Sequence, residues 1–215
     1  MVVTVSWICW WENSSRVSAD AMRHHPNNRV GHRRVFPRVI ILTGEKGVGK
    51  SSIVRSLLAR TSCAVGGFLS EPVTASAQRV AYELVDLQTG ERKAFARRVP
   101  WSRAPRGGPF LVDRGVFESF GARIVRRACR NADLVVMDEI GCMEDASPAF
   151  RRAVMRCLAS GVPVLAVVQR GECAFVRELL AAFRHDVVRV NAGEEERVRA
   201  TVLAKLREWG VSLHE

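Results

Sequence analysis

Apolar and polar residues follow two rhythms along this chain, and the changes of rhythm mark out its elements. The continuous apolar run Val39-Ile40-Ile41-Leu42 predicts a strand buried on both faces, as in a parallel sheet. A glycine-rich stretch follows, then Ile53, Leu57 and Leu58 at helical spacing. Residues 64–70 predict a second strand. Residues 81–87 alternate, Thr89-Gly90 turns the chain, and residues 92–99 return as a hairpin partner. Pro100, Pro105, Gly107, Gly108 and Pro109 predict a loop over 100–110. Val116, Phe120, Ile124 and Ala128 share one face of a helix predicted over 115–130. Strands at 134–137, 162–168 and 187–190 then alternate with helices carrying Phe150 and Val154, Phe175 and Leu179, and Val198 and Leu206. That alternation predicts an α/β fold: a mostly parallel sheet with helices on both faces, in three layers, with an inserted β-hairpin.

Residues 1–36 break the pattern. They hold Trp7, Trp10, Trp11, His24, His25 and His32, with no sustained period. They are expected to form an N-terminal extension, either disordered or a start assigned too early, with Met22 as an internal alternative. A basic, aromatic arm against nucleic acid or a membrane is the other reading. Residues 37–215 form the expected folded domain. No basic residue precedes the apolar run at residues 1–11, and no small-residue cleavage site follows closely, so a secretory signal is not expected. No apolar stretch reaches the roughly 18 residues of a membrane span.

Charge changes the picture more than composition does. The chain of 215 residues carries a net charge of +11, with 33 basic and 22 acidic residues. Only Lys46, Lys50, Lys93 and Lys205 are lysines. Such a balance suggests a polyanionic partner without choosing among nucleotide, nucleic acid and acidic membrane. The six cysteines, Cys9, Cys63, Cys129, Cys142, Cys157 and Cys173, form no C-x-x-C motif, which argues against a zinc site. Reduced thiols in a cytoplasmic compartment are the expectation.

The glycine-rich stretch Gly44-Glu45-Lys46-Gly47-Val48-Gly49-Lys50-Ser51 fits G-x-x-x-x-G-K-[ST], with Ser52 next. Glycines let successive backbone N–H groups turn inward on phosphate oxygens, and the helix opening near Lys50 aims its positive end at the same anion. Lys50 would reach the β- and γ-phosphates and the Ser51 hydroxyl would ligate Mg²⁺. Such a loop needs a carboxylate from a partner strand, and Leu134-Val135-Val136-Met137-Asp138-Glu139 offers four apolar residues and two acids. Asp138 is expected on the Mg²⁺ side, and Glu139 is expected to orient or deprotonate a water. Glu144 either joins that cleft or lies on the surface. Gln169 either senses the γ-phosphate or caps its strand.

Asp138-Glu139-Ile140-Gly141-Cys142-Met143-Glu144, with Ser147 and Phe150 beyond it, resembles the D-E-I-G-x-M-E…S…F signature of the small P-loop nucleoside-triphosphatases known from thermophiles and as the cancer-related nucleoside-triphosphatase. Val65-Gly66-Gly67-Phe68 with Glu71, the set Arg79, Leu84, Asp86 and Gly90, and Phe110-Leu111-Val112-Asp113 are similar to further segments of that family. The resemblance spans about Arg38 to Leu206. It departs at Ser51-Ser52, where the family has Thr-Thr, at Lys46, where it tends to have Pro, at Pro72-Val73, where a basic residue follows the Glu, at Gln169, where it often has His, and at Glu196-Arg197, where it has Asn-Arg.

The resemblance implies a single P-loop NTPase domain that hydrolyses nucleoside triphosphates broadly, with ATP as the default because no N-K-x-D motif is present. A monomer without membrane contact is expected. Two other readings remain: a nucleotide or small-molecule kinase, and a nucleic-acid-binding protein switched by ATP. Arg92, Lys93, Arg97, Arg98, Arg103 and Arg106 cluster near Trp101. They form a lid with a phosphate-facing arginine, a nucleic-acid patch, or a solvated surface. Arg79 is a separate candidate for a phosphate contact.

Overall fold

The computed structural model describes residues 37–105, 108–143, 147–171, 173–183 and 187–214. The expectations for residues 1–36, Arg106 and Glu144 lie outside that range. Eight strands form one sheet: β1 (Val39–Thr43), β2 (Val65–Ala75), β3 (Gln78–Asp86), β4 (Arg92–Arg98), β5 (Phe110–Val112), β6 (Leu134–Ile140), β7 (Val164–Val168) and β8 (Val187–Arg189). Their order is β5-β4-β3-β2-β6-β7-β1-β8. Strands β2, β6, β7, β1 and β8 run parallel; β3, β4 and β5 extend the sheet antiparallel. The principal helices are α1 (Lys50–Leu58), α2 (Ala122–Asn131), α3 (Pro148–Leu158), α4 (Ala174–Ala182) and α5 (Glu195–Glu208).

Alternation along β1 builds both faces of the core. Val39 and Ile41 join the layer holding Ile124, Val154 and Phe175 of α2, α3 and α4. Ile40 and Leu42 join the layer holding Ile53 and Leu57 of α1 and Val202 and Leu206 of α5. This is the three-layer α/β arrangement that the apolar runs predict. Phe68, Phe117 and Phe150, all fully buried, meet at tilted and edge-on angles with centroids 5.5 to 5.6 Å apart.

Three elements differ from their predicted form. Strand β2 runs on to Ala75, through Pro72. Its pairing with β6 ends at Leu69, so beyond that residue only β3 bonds to it and the missing Pro72 N–H costs no ladder bond. The predicted helix over 115–130 contains a π-helical segment, Phe117–Gly121, and Phe117 joins the predicted face residue Phe120 in the core. Part of the 100–110 loop becomes structured, with a 3₁₀ turn at Trp101–Arg103 and β5 pairing on β4. Three residues are too short to show a period.

Candidate active site

The loop between β1 and α1 takes its shape from its glycines. Gly49 caps α1 with φ +85°, a left-handed conformation that side chains rarely adopt. At Gly44 an added Cβ would stand 2.3 Å from the Val190 carbonyl oxygen just beyond β8, so only glycine lets the loop pass. Lys50 is buried and folds back over this loop, its Nζ donating to the carbonyls of Gly44 at 3.0 Å and Glu45 at 2.7 Å. Those two contacts hold the ammonium against the carbonyls of the loop itself.

Strand β7 lies between β1 and β6, so the loop and the acid pair belong to strands one apart, opening on the same edge of the sheet. Asp138 and Glu139 lie within β6 rather than after it. Their peptide bond is cis, and the register of β6 against β7 shifts between Met137 and Ile140. A shift of that kind re-aims side chains, and both acids line one cleft. The Ser51 hydroxyl donates to Asp138 Oδ1 at 3.1 Å. The Glu139 amide donates to the Ser70 hydroxyl at 3.4 Å.

Burial dominates the electrostatics. It pushes the Asp138 carboxyl up to about 6, and Glu139 adds to the rise. The Ser51 hydrogen bond, Arg55 and Lys50 oppose it. Burial also raises Glu139, against the pull of Lys50 and Lys46. Two acids held above their ordinary range beside a serine hydroxyl form an oxygen-rich position at which a hard divalent cation would relieve the cost of their charge.

The cleft has a volume of about 460 Å³. Gly44, Glu45, Lys46, Gly47, Gly49, Lys50, Ser51, Ser52, Asp138, Glu139, Arg79 and Gln169 all line it. Val48 is the exception in the loop and packs on the apolar layer beneath. Sequence reasoning did not single out Arg55, Ser70, Pro72, Tyr82, Phe95, Met143 or Arg170 as lining residues. Arg55 had a signal, since it lies one helical turn beyond Ser51. Arg170 had one too, following Gln169 at the end of β7. Of the basic cluster described here, none lines the cleft. Arg92 pairs with Glu71 and Glu83, and Lys93 lies over the Phe120 ring.

The expectation of reduced thiols needs correction at one pair. Cys142 and Cys173 form a disulfide with Cα atoms 5.6 Å apart. They stand 31 positions apart in sequence, and they meet because β6 and β7 are neighbours whose following loops emerge side by side. Cys63, Cys129 and Cys157 are free. Among the described residues no helix is long and apolar enough to cross a membrane.

A family model described as NTPase matches residues 39–203. The nucleoside-triphosphatase THEP1 of Methanopyrus kandleri is 32% identical over 179 residues, covering 81% of this chain and 98% of that protein. That of Thermofilum pendens is 38% identical over 135 residues, covering 61% and 74%. The crystal structure of THEP1 from the hyperthermophile Aquifex aeolicus superposes with a TM-score of 0.66 at 26% identity, over 77% of this chain and 97% of that one. The solution structure of a human cancer-related nucleoside triphosphatase gives 0.63 at 26% identity, over 80% and 98%.

Proposed function

The chain belongs to the nucleoside-triphosphatase (NTPase) family, and from that premise we propose that it hydrolyses the γ-phosphate of ATP and other nucleoside triphosphates, with residues 37–215 as the catalytic domain. The observation that carries this reading is the junction of Ser51 and Asp138 beside the buried Lys50 and the half-buried Glu139. In it, the loop amides and Lys50 bind the phosphates. Ser51 and Asp138 would hold Mg²⁺, which would neutralise charge on the β- and γ-phosphate oxygens. Glu139 orients a water and accepts its proton. The water oxygen bonds to the γ-phosphorus while the bond to the β-phosphate oxygen breaks, giving nucleoside diphosphate and inorganic phosphate. The named relatives are hydrolases, which does not favour the kinase reading.

Phosphate release over several nucleoside triphosphates, without any acceptor, tests the assignment. Lys50→Ala is expected to abolish release; a variant that keeps it would overturn the reading.

One observation favours an additional nucleic-acid contact, away from the cleft. Helices α2 and α3 pack on each other, carry no acidic residue, and expose Arg126, Arg130, Arg152 and Arg156. Each helix thus sets two like charges at i,i+4, an arrangement that costs stability unless an anion relieves it. A phosphate backbone would. Binding would then weaken steeply with salt, with a log–log slope of about −0.9 for each phosphate neutralised on duplex DNA. A flat salt response removes this reading.

A further inference from the structure

Resting on the hydrolysis reading above, we propose that Arg170 is the in-chain arginine that contacts the γ-phosphate, and that Glu45 holds it in the resting site. Among the described residues three arginines line the cleft: Arg55, Arg79 and Arg170. Arg55 faces Glu71 at 3.8 Å, and Arg79 Nη1 reaches the Tyr82 hydroxyl at 3.4 Å. Arg170 is different, because its Nη1 pairs with the Glu45 carboxylate, and Glu45 is itself part of the phosphate loop. It is the single acid between Gly44 and Ser51.

The topology puts Arg170 where the reacting phosphoryl group belongs. Strand β7 sits between the loop strand β1 and the acid strand β6, so the turn after β7 opens between the phosphate loop and Glu139, and all three line one cleft. That turn is pinned on both sides of Arg170. The Gln169 amide donates to the Ile140 carbonyl at 2.8 Å, and Cys173 is bonded to Cys142. Between them Gly171 packs so closely that an added Cβ would lie 2.7 Å from Cys142 Sγ. With Gln169 and Cys173 held in this way, the reach of Arg170 comes from its long side chain.

The resting partner is easily exchanged. The side chains of Arg170 and Glu45 are 53% and 72% exposed, and an ion pair so open to water contributes little. A γ-phosphate between the loop and the acids offers more charge and a geometry that the guanidinium fork matches bidentately. Triphosphate binding therefore draws Arg170 from Glu45 to the γ-phosphate, where it stabilises charge on the transferring group. A diphosphate lacks that group and leaves the ion pair in place.

The test uses the full chain as Arg170→Ala, Arg170→Lys, Glu45→Gln, the Glu45→Gln/Arg170→Ala double variant and Lys50→Ala. It measures kcat and KM for ATP, and the binding of fluorescent ADP and of a non-hydrolysable ATP analogue. Arg170→Ala is expected to lower kcat by about 10²–10³-fold, leave ADP affinity within about twofold, and lose the preference for the triphosphate analogue over ADP. Arg170→Lys keeps the charge without the fork and falls between Arg170→Ala and the unmodified chain. Glu45→Gln releases the arginine and raises kcat/KM, and the double variant stays as low as Arg170→Ala. Recovery of activity in the double variant would overturn the proposal, since Arg170 would then serve only to neutralise Glu45. An unchanged kcat in Arg170→Ala overturns it too. Activity surviving in Lys50→Ala would instead sink the hydrolysis reading beneath it, so the two failures are told apart.

Discussion

Ser51 and Asp138 stand 87 positions apart in sequence, and the hydroxyl of one donates to the carboxylate of the other at 3.1 Å. The bond spans from α1 to β6, across the end of the intervening β7. Replacing Ser51 by Ala removes one of the two proposed cation ligands. Hydrolysis is expected to fall by at least about 10²-fold, and Thr, which keeps the hydroxyl, is expected to restore most of it. Phosphate release titrated against Mg²⁺, with full loss on chelation, checks this.

Asp138 also makes the metal-free protein sensitive to pH. Its carboxyl is raised from 3.8 to about 6 in the folded chain, chiefly by burial. The neutral form is therefore favoured by folding. Its contribution is fully present below about pH 4 and is lost as pH rises through about 6. Asp138→Asn removes the buried charge while keeping the shape. In chelator at pH 8 it is expected to raise Tm by a few degrees, with the gain vanishing near pH 4, although it abolishes hydrolysis. A lower Tm at pH 8 would contradict the burial argument.

Glu139 can be separated from binding. Glu139→Gln keeps the size of the side chain but not its basicity. A fall in kcat of about 10²–10⁴-fold is expected, with the affinity for a non-hydrolysable ATP analogue maintained. Single-turnover measurements would distinguish slow chemistry from slow product release.

Away from the cleft, the fully buried Asp86 pairs with Arg127 of α2 and accepts the Gln88 amide at 3.0 Å. This contact ties the end of β3 to the helix layer. Arg127→Ala would strand a buried carboxylate and is expected to cost about 3–5 kcal/mol, measured by urea unfolding. Replacing both partners together, as Asp86→Asn with Arg127→Met, is expected to recover part of that loss.

Some of this was legible because local signals carry it. Helical spacing located α1 and α3, and the acid pair after Met137 located the second half of the cleft. At 115–130 the predicted face of Val116, Phe120, Ile124 and Ala128 is buried, and only the π-helical segment departs from the expected form. Gly121 lies under the Phe150 ring, where an added Cβ would be 3.0 Å away, and the π-helical segment accommodates that approach. The excess of positive charge announced in composition divides in the structure. Lys50 is buried in the phosphate loop, whereas Arg126, Arg130, Arg152 and Arg156 lie on the outer face of two helices. Net charge sums over these positions and cannot separate them.

By itself, the sequence determined the alternation of strands and helices, the phosphate loop and the acid pair. Each depends on backbone geometry or burial over a few neighbouring residues. Only the tertiary structure decided that β7 stands between β1 and β6, that Cys142 meets Cys173, and that Arg170 rests on Glu45. Those relationships join residues far apart in the chain, and strand order selects them through the packing of the whole sheet rather than through any local pattern.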